Sequence, residues 1–495
     1  MKRLFKYLII SILAFGWSCS CDKNKPVDPT PDPEPISGEV ATLYTTAADG
    51  SKVFVKSTSE LVDASSASGN VVKITDEKFQ TIDGFGAAMT WASFFNLLTR
   101  SAENRESFLR ELFDVENGLG ISLVRVSMGA SDFNYEEYTW CDQPGMENFE
   151  VDPRDKDVVF PVLKEMYKIN PKVRIIASPW SCPIWMKRRS VNDDSDFLSW
   201  TSGSLKPSCY QDYAEYFVRW IKAMENEGFN IYAVTVQNEP LNHGNSMSMY
   251  MTWQEQRDFI KTALGPAFEK AGLKTKILVF DHNYNYDNAS GQKNYPLNIY
   301  KDPDASKYVA GSAWHNYGGN VSELDNIVAN APDKDIYFTE ASIGTWNYNF
   351  SSCLINDFRD IFMGTLSRGG KGVTLWNMVL DENKGPYSPK DGSCKTCYGA
   401  VTLMTSTRTI GQRMTHYYNI AHASKVIRQD AVRVGTTGYS KSGISYQVFK
   451  NPDGTYGAIV LNETGDSQPI SFAGSRKSVK CTLPARSIVS VSWKE

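Results

Sequence analysis

The chain has 495 residues, 41% hydrophobic and 22% charged, with a formal net charge of −4. That is enough apolar material for one large domain and a smaller one, and a mildly acidic chain without a basic stripe gives nucleic acid no electrostatic footprint, which sets that class of partner aside. Of the 12 Trp, 25 Tyr and 24 Phe most are expected in the core, but a surplus of Trp and Tyr also suits the apolar faces of sugar rings.

Taken in chain order, the first residues form a targeting segment. Lys2, Arg3 and Lys6 precede an apolar stretch, Leu8 through Gly16, that is too short to span a bilayer. Cys19 and Cys21 follow, each preceded by a serine, as at a bacterial lipoprotein processing site. Residues 1–20 therefore read as a lipoprotein signal peptide. The mature protein is expected to be exported and lipid-anchored at the bacterial outer membrane, on its cell-surface or periplasmic face. A plain secretory signal cut nearby is the alternative. Residues 21–38, with Pro26, Pro29, Pro31, Pro33 and Pro35, read as a stiff, extended tether.

Residues 39–78 carry short β-rich runs such as Val53-Phe54-Val55 and Val71-Val72-Lys73-Ile74. From residue 79 the pattern changes. Strand-like segments at Phe79–Gly86, Ile121–Ser127, Val173–Ser178, Ala233–Gln237, Ile277–Asp281, Val309–Trp314, Ile336–Thr339 and Gly372–Leu375 alternate with amphipathic helical patterns. The helical stretches are Ala102–Phe113, Asp155–Ile169, Tyr210–Glu227, Thr252–Ala271 and Asn356–Arg368. About eight strands alternating with helices predict a (β/α)8 TIM barrel over residues 79–412. An open doubly wound sheet is the competing arrangement, but no phosphate-binding glycine loop follows any strand. Residues 413–495 alternate again, with turns such as Asn451-Pro452-Asp453-Gly454. Neither flank has enough strands for two sheets, so the N- and C-terminal strands are expected to build one side β-sandwich fused to the barrel.

Two of the barrel strands run straight into a glutamate. Ala233–Gln237 leads to Asn238-Glu239-Pro240, and Asp335–Thr339 leads to Glu340-Ala341-Ser342. In a parallel barrel the C-terminal strand ends carry the chemistry, and two carboxylates there suit cleavage of a glycosidic bond. The same rim collects Asp132, Trp180, His282, His315, Tyr317 and Trp376. Among the remaining cysteines, Cys394-Lys395-Thr396-Cys397 has a CxxC spacing, but no second CxxC and no nearby His pair completes a zinc shell. A loop disulfide or two unremarkable cysteines is expected, with at least one free thiol elsewhere.

Several blocks together resemble glycoside hydrolase family 30: Thr81 through Thr90, Arg125 through Phe133, Ser178 through Lys187, Gln237-Asn238-Glu239-Pro240, Thr339-Glu340-Ala341-Ser342, Leu375-Trp376-Asn377 with Leu380-Asp381, and His416 through Lys425. The resemblance implies a retaining mechanism on β-linked sugars. It makes Glu239 the general acid/base and Glu340 the nucleophile, with Asn238 on the sugar 2-hydroxyl and Asp132, Trp180, His315, Tyr317 and Trp376 forming the pocket for the reacting sugar. Such chemistry uses no metal and no organic cofactor. Glu239 must then hold a proton near neutral pH and Glu340 must stay ionised, with the carboxyl groups ~5–5.5 Å apart.

Met128 through Phe133 and Glu340 through Trp346 look closest to the glucosylceramidase and β-1,6-glucanase branch, which implies a glucose-specific pocket. A lipid-anchored bacterial protein meets polysaccharide more readily than ceramide, so the expected partner is a β-glucan, cut as an endo-β-1,6-glucanase by a monomer. Trp346, and with it Tyr348 and Trp140, stand where further glucose units would stack or where rim packing would use them. The alternatives are an exo-acting β-glucosidase or glucosylceramidase, and a non-catalytic surface glycan-binding protein.

Overall fold

The computed structural model of the protein describes residues 39–495. The leader, Cys19, Cys21 and the proline-rich tether lie outside the described residues. Eight short strands form the central barrel: β1 (Gly84–Ala87), β2 (Leu123–Ser127), β3 (Arg174–Ser178), β4 (Ile231–Thr235), β5 (Lys276–Asn283), β6 (Val309–His315), β7 (Asp335–Glu340) and β8 (Gly372–Leu375). Every strand from β2 to β8 pairs in parallel with its sequence neighbours, and β8 pairs with β1. The ring closes between β1 and β2 through an Ala88–Arg125 bridge.

Alternation along each strand sorts the side chains. Leu123, Ile176, Ala233, Leu278, Ala313 and Tyr337 point inward and form their own small core. Val124, Ile175, Val234, Ile277 and Phe338 join the large core shared with the surrounding helices. Each such buried side chain contributes roughly 1.5–3 kcal/mol relative to exposure. β1 approaches β2 so closely that a Cβ on Gly86 would stand 2.0 Å from the Leu123 carbonyl oxygen, which is why this strand is built around glycine. The N-terminal end of the barrel is plugged by Asp83. It accepts from Arg174 Nη1 and Tyr232 Oη, each at 2.8 Å, and from Tyr337.

Nine antiparallel and parallel strands make the side domain: Val40–Ala47, Val55–Asp63, Val71–Thr81, Val432–Gly438, Ile444–Lys450, Thr455–Asn462, Gln468–Ala473, Lys477–Leu483 and Ser487–Lys494. Their pairing order closes on itself, because Val40–Ala47 pairs with both Val55–Asp63 and Ser487–Lys494. Val72, Val448, Phe472 and Val491 fill its core. N- and C-terminal strands thus share one sandwich whose sheets leave no free edge.

Two boundaries differ from the sequence reading. Phe79–Gly86 is not one strand: Val71–Thr81 pairs with Val432–Gly438 in the sandwich, and only Gly84–Ala87 belongs to the barrel. Gly84, at φ +145°, takes a backbone conformation that lets the chain turn from one sheet into the other. The helix Thr415–Ser424, assigned to the sandwich side of residue 412, lies between the two bodies. It packs on β1 and the helix Phe350–Asp357 on one side and on Ser487–Lys494 on the other.

His422 on that helix clamps the junction. Its Nδ1 lies 2.7 Å from Ser490 Oγ and its Nε2 2.8 Å from Thr46 Oγ1. Ser490 donates its own proton to the His422 carbonyl, so it accepts from Nδ1, leaving Nε2 to accept from Thr46. This arrangement satisfies the neutral ring, and burial lowers the pKa from 6.5 to about 3. A lowered histidine pKa stabilises the fold above the unfolded value, and that stability is lost as pH falls from 6.5 towards 3, by about 1.4 kcal/mol per pH unit at most. Urea unfolding of wild type and His422→Gln at pH 7 and pH 4.5 checks this. The variant is expected to be less stable at pH 7 by about 1–3 kcal/mol, but to lose less on acidification; parallel losses would contradict it.

Candidate active site

The C-terminal rim is organised from beneath by a charged pair. Arg125 on β2 and Asp281 on β5 are both fully buried, and Arg125 Nη2 donates to Asp281 Oδ2 at 2.8 Å. Asp281 reaches inward because β5 bulges. Phe280 and Asp281 have φ +74° and +68°, and the register with β6 shifts between Phe280 and His282. Five residues then converge on the Asp281 carboxylate: Arg125, Ser178 at 3.1 Å, Thr235 at 2.7 Å, Thr339 at 2.6 Å and His315 Nε2 at 3.0 Å.

The same arginine reaches two more rim residues. Its Nη1 donates to Glu340 Oε2 at 2.5 Å and its Nη2 to Asn238 Oδ1 at 2.7 Å. Because arginine only donates, the Asn238 amide nitrogen is turned the other way. The other oxygen of Glu340 accepts from Tyr317 Oη at 2.9 Å, and Tyr317 also meets Ser342 Oγ at 2.8 Å. Glu239 follows β4 at φ +44°, where its N–H bonds the Asp281 carbonyl. Its Oε1 faces His315 Nδ1 at 3.1 Å, and its Oε2 accepts from Asn242 at 2.7 Å and Asn245 at 3.1 Å. One oxygen of Glu239, one of Glu340 and a ring nitrogen of His315 all lie within 4.8 Å of one another. That spacing would also suit a cation, but Arg125 is bonded to Glu340 and both nitrogens of His315 face carboxylates, so fixed cations already balance the cluster.

The electrostatics differ from the sequence expectation in one respect. Burial alone would raise the pKa of Glu239. The hydrogen bond from His315, the charges of His282 and His315 and the amide of Asn242 outweigh it and lower the pKa to about 2. His315 moves the opposite way: burial lowers it, but Glu340, Asp281 and Glu239 push it up to about 9. The proton expected on Glu239 therefore rests, in the free protein, on the imidazole one hydrogen bond away. Glu340 is raised by burial and by Glu239, against the pull of His315 and Arg125. Asp132 is pushed up to about 8 by burial and by the charge of Glu340.

A cleft of about 460 Å³ opens above these groups, with Asp132, Glu239, Tyr317, Glu340, Trp346 and Trp376 in its wall. Trp180, Asn238 and His315 are buried behind it. Trp180 backs Trp376 with ring centroids 5.3 Å apart, and the Arg125 guanidinium sits 4.8 Å from the Trp180 ring. Trp346, 51% exposed, is the aromatic at the mouth. Trp140, in contrast, is a core residue: its ring packs on Trp220 and its indole N–H donates to Asp155. Tyr348 packs edge-on against Tyr398 and is not part of the cleft wall. Cys394 and Cys397 form a disulfide in that wall, and Cys141, Cys182, Cys209, Cys353 and Cys481 are free. A larger groove, about 680 Å³, runs past Phe79, Lys334 and Lys371. Its lysines are tied to backbone carbonyls and to Asp335, and it gathers no comparable chemistry.

Sequence reasoning did not single out Arg125, Asp281, Asn242 or Asn245. An arginine flanked by valines inside a buried strand, and an aspartate closing another, were the signals available for the first two.

Comparison with known proteins identifies the fold's family. The Glycosyl hydrolase family 30 TIM-barrel domain matches residues 82–427, and the family 30 beta sandwich domain matches residues 430–491. Endo-1,6-beta-D-glucanase BGN16.3 of Trichoderma harzianum is 34% identical over 416 residues, covering 80% of each chain. Lysosomal acid glucosylceramidase of Mus musculus is 26% identical over 85% of this chain and 82% of its own. The solved structure of the endo-beta1,6-glucanase BT3312 superposes with a TM-score of 0.89 at 47% identity, covering 93% of this chain and all of that one. The barrel and the sandwich are those of a glycoside hydrolase, and the chain belongs to glycosyl hydrolase family 30.

Proposed function

We propose that the protein is a retaining endo-β-1,6-glucanase, with Glu340 as nucleophile and Glu239 as acid/base. The observation that carries the mechanism is the spacing of the two carboxylates across the cleft. One oxygen of each within 4.8 Å of the other is in keeping with the ~5–5.5 Å between carboxyl groups of retaining enzymes, and shorter than the ~6.5–9.5 Å of inverting ones. The linkage rests on the two relatives named as 1,6-glucanases, at 34% and 47% identity.

In this reading Glu340, held by Arg125 and Tyr317, attacks the anomeric carbon. The proton for the leaving oxygen passes from His315 Nδ1 to Glu239 and on to the glycosidic oxygen, while Asp281 keeps hold of the proton on Nε2. As the ester to Glu340 forms, its negative charge disappears, and the charge that holds the proton on His315 weakens with it. The deprotonated pair can then take a proton from the water that hydrolyses the ester. Asn238, its carbonyl fixed by Arg125, presents its NH2 group towards the sugar 2-hydroxyl. Trp346 offers a stacking face for a neighbouring glucose. The charged start, short apolar stretch and Ser–Cys pairs of residues 1–21 support export and a lipid anchor, which would hold the enzyme beside polymeric substrate.

Incubation with β-1,3-, β-1,4- and β-1,6-linked glucans and with xylan tests the substrate. A ladder of oligosaccharides from the β-1,6 polymer alone is expected; glucose as the sole product would favour the exo-acting alternative, and binding without release of reducing sugar the non-catalytic one. Glu340→Gln is expected to abolish turnover on every substrate, because no covalent adduct can form. Glu239→Gln should cost about 10²–10⁴-fold on glucan but spare the glycosylation step of activated aryl glycosides. His315→Asn is expected to follow Glu239→Gln, because it removes the resting place of the proton. Equal losses on glucan and aryl glycoside for either of the last two variants would contradict the assignment.

A further inference from the structure

The cleft has two flanks. Asp132, Glu340 and Trp376 come from the ends of β2, β7 and β8, whereas Asn242, Asn283 and Asp287 come from the loop after β4 and from the end of β5 and the turn beyond it. Glu239 belongs with the second flank, because Asn242 bonds its carboxylate. Asn242 spends its carbonyl on the Gly244 N–H as well. Asp287 is the carboxylate on this flank to which no role has been given.

Its surroundings hold it firmly. Tyr286, Asp287 and Asn288 have φ +55°, +50° and +53°, three consecutive left-handed residues without a glycine, a strain that persists only where neighbours enforce it. The Tyr286 ring packs on Phe280 and its hydroxyl donates to Glu323 at 2.8 Å. A Cβ on Gly319 would stand 2.5 Å from the Asn285 nitrogen, so the turn is pressed against the loop that follows Tyr317. Asp287 Oδ1 accepts from Asn283 Nδ2 at 2.7 Å, and Oδ2 lies 3.0 Å from His282 Nε2. Asn283 in turn accepts the Tyr317 N–H at 3.0 Å, and His282 Nδ1 accepts the Leu241 N–H at 3.3 Å. The carboxylate is thus aimed by residues tied to the two loops that carry Glu239 and Tyr317. Burial would raise its pKa, but His282 and Asn283 outweigh burial and lower it, so the group stays an anion. Its side chain is 32% exposed, and a carboxylate with one contact on each oxygen still has lone pairs to offer.

We propose that Asp287 is a specificity-determining residue on the leaving-group side of the cleft, where its carboxylate accepts a hydroxyl of the sugar unit that departs. The placement follows from the acid. The oxygen that Glu239 protonates belongs to the departing unit, so that unit lies on the Glu239 flank, beyond the sugar bonded to Glu340. A fixed anion there accepts a sugar O–H more strongly than a neutral group would, and a leaving group without hydroxyls gains nothing from it. The inference rests on the glycosidase reading of Glu239 and Glu340, and not on which glucan linkage is cut.

The test uses the folded enzyme and two substrates with the same glucose above Glu340. One is the β-linked glucose oligosaccharide that wild type cuts fastest; the other is an aryl β-glucoside, whose leaving group carries no sugar hydroxyl. D287G removes the carboxylate with a residue that takes left-handed backbone freely, and D287N keeps the shape without the charge. D287G is expected to lower kcat/KM on the oligosaccharide about ten- to thirtyfold more than on the aryl glucoside, the loss of one hydrogen bond to a charged group. D287N should show the same selective loss, about threefold or more, and decides alone if D287G fails to fold. With the aryl glucoside as donor and a glucose disaccharide as acceptor, both variants should also form less transfer product than wild type. There an acceptor hydroxyl replaces water in breaking the ester to Glu340 and gives its proton to Glu239. Equal losses on the two substrates would make Asp287 only a support for His282, and no loss on the oligosaccharide would leave it without a role; either result overturns the proposal and leaves the glycosidase reading intact. A wild-type protein that cleaves neither substrate would overturn both.

Discussion

An arginine–aspartate pair buried in the mouth of a barrel is the constraint on which the rest of this structure depends. Taking Arg125 and Asp281 out of water costs several kcal/mol per ion unless their remaining hydrogen-bonding capacity is met. Here it is met by the residues of the candidate site. The guanidinium divides its donors among Asp281, Glu340, Asn238 and Ser178, while the carboxylate gathers groups from β2, β3, β4, β6 and β7. Geometry at the rim is therefore set by one shared site within the barrel and not by each strand end separately. The left-handed backbone at Phe280 and Asp281 is strain of the kind that persists only where surroundings enforce it.

The pair also explains how the two glutamates differ although both are buried. Glu340 is flanked by a permanent cation and a phenol, so it can remain an anion despite its burial. Glu239 is bonded to an imidazole whose far side is anchored by Asp281, so its proton is held jointly by two residues. Burial by itself would have given both carboxyls the same tendency to protonate. Asp132, with Glu340 nearby, shows that tendency: burial and the charge of Glu340 outweigh its backbone hydrogen bonds.

The sequence made the barrel legible because its strands are short apolar runs punctuated by helical periodicity, and the ends of β4 and β7 could be read directly from Asn238-Glu239 and Glu340. The failures have physical causes. Phe79–Gly86 reads as one strand only if the Asp83-Gly84 turn pair inside it is passed over; the chain leaves one sheet after Thr81 and enters the other at Gly84. Trp140 has the composition of a sugar-stacking residue but is claimed by Trp220 and Asp155 in the core. Arg125 sits between two valines and looks like a tolerated polar residue in a strand. Asp281 reaches the interior only because a bulge changes the parity of β5, and no alternation rule read from sequence anticipates such a change. The state of Glu239 depends on three donors brought from β6 and from the loop after β4, so it could not be inferred from its neighbours in the chain.

The closed ring of the side domain couples the earliest described strand to the latest. Val40–Ala47 is hydrogen-bonded on one flank to Ser487–Lys494, so during synthesis its partner is made only after the whole barrel. Until then the leading strands carry an open flank, and the sandwich is a late-closing seam around a barrel whose own pairings are nearly all between consecutive strands. Loss of the final strand would reopen that seam at Val40–Ala47 and at Thr455–Asn462 together, turning a closed ring into a sheet with two templates for sticking to its neighbours.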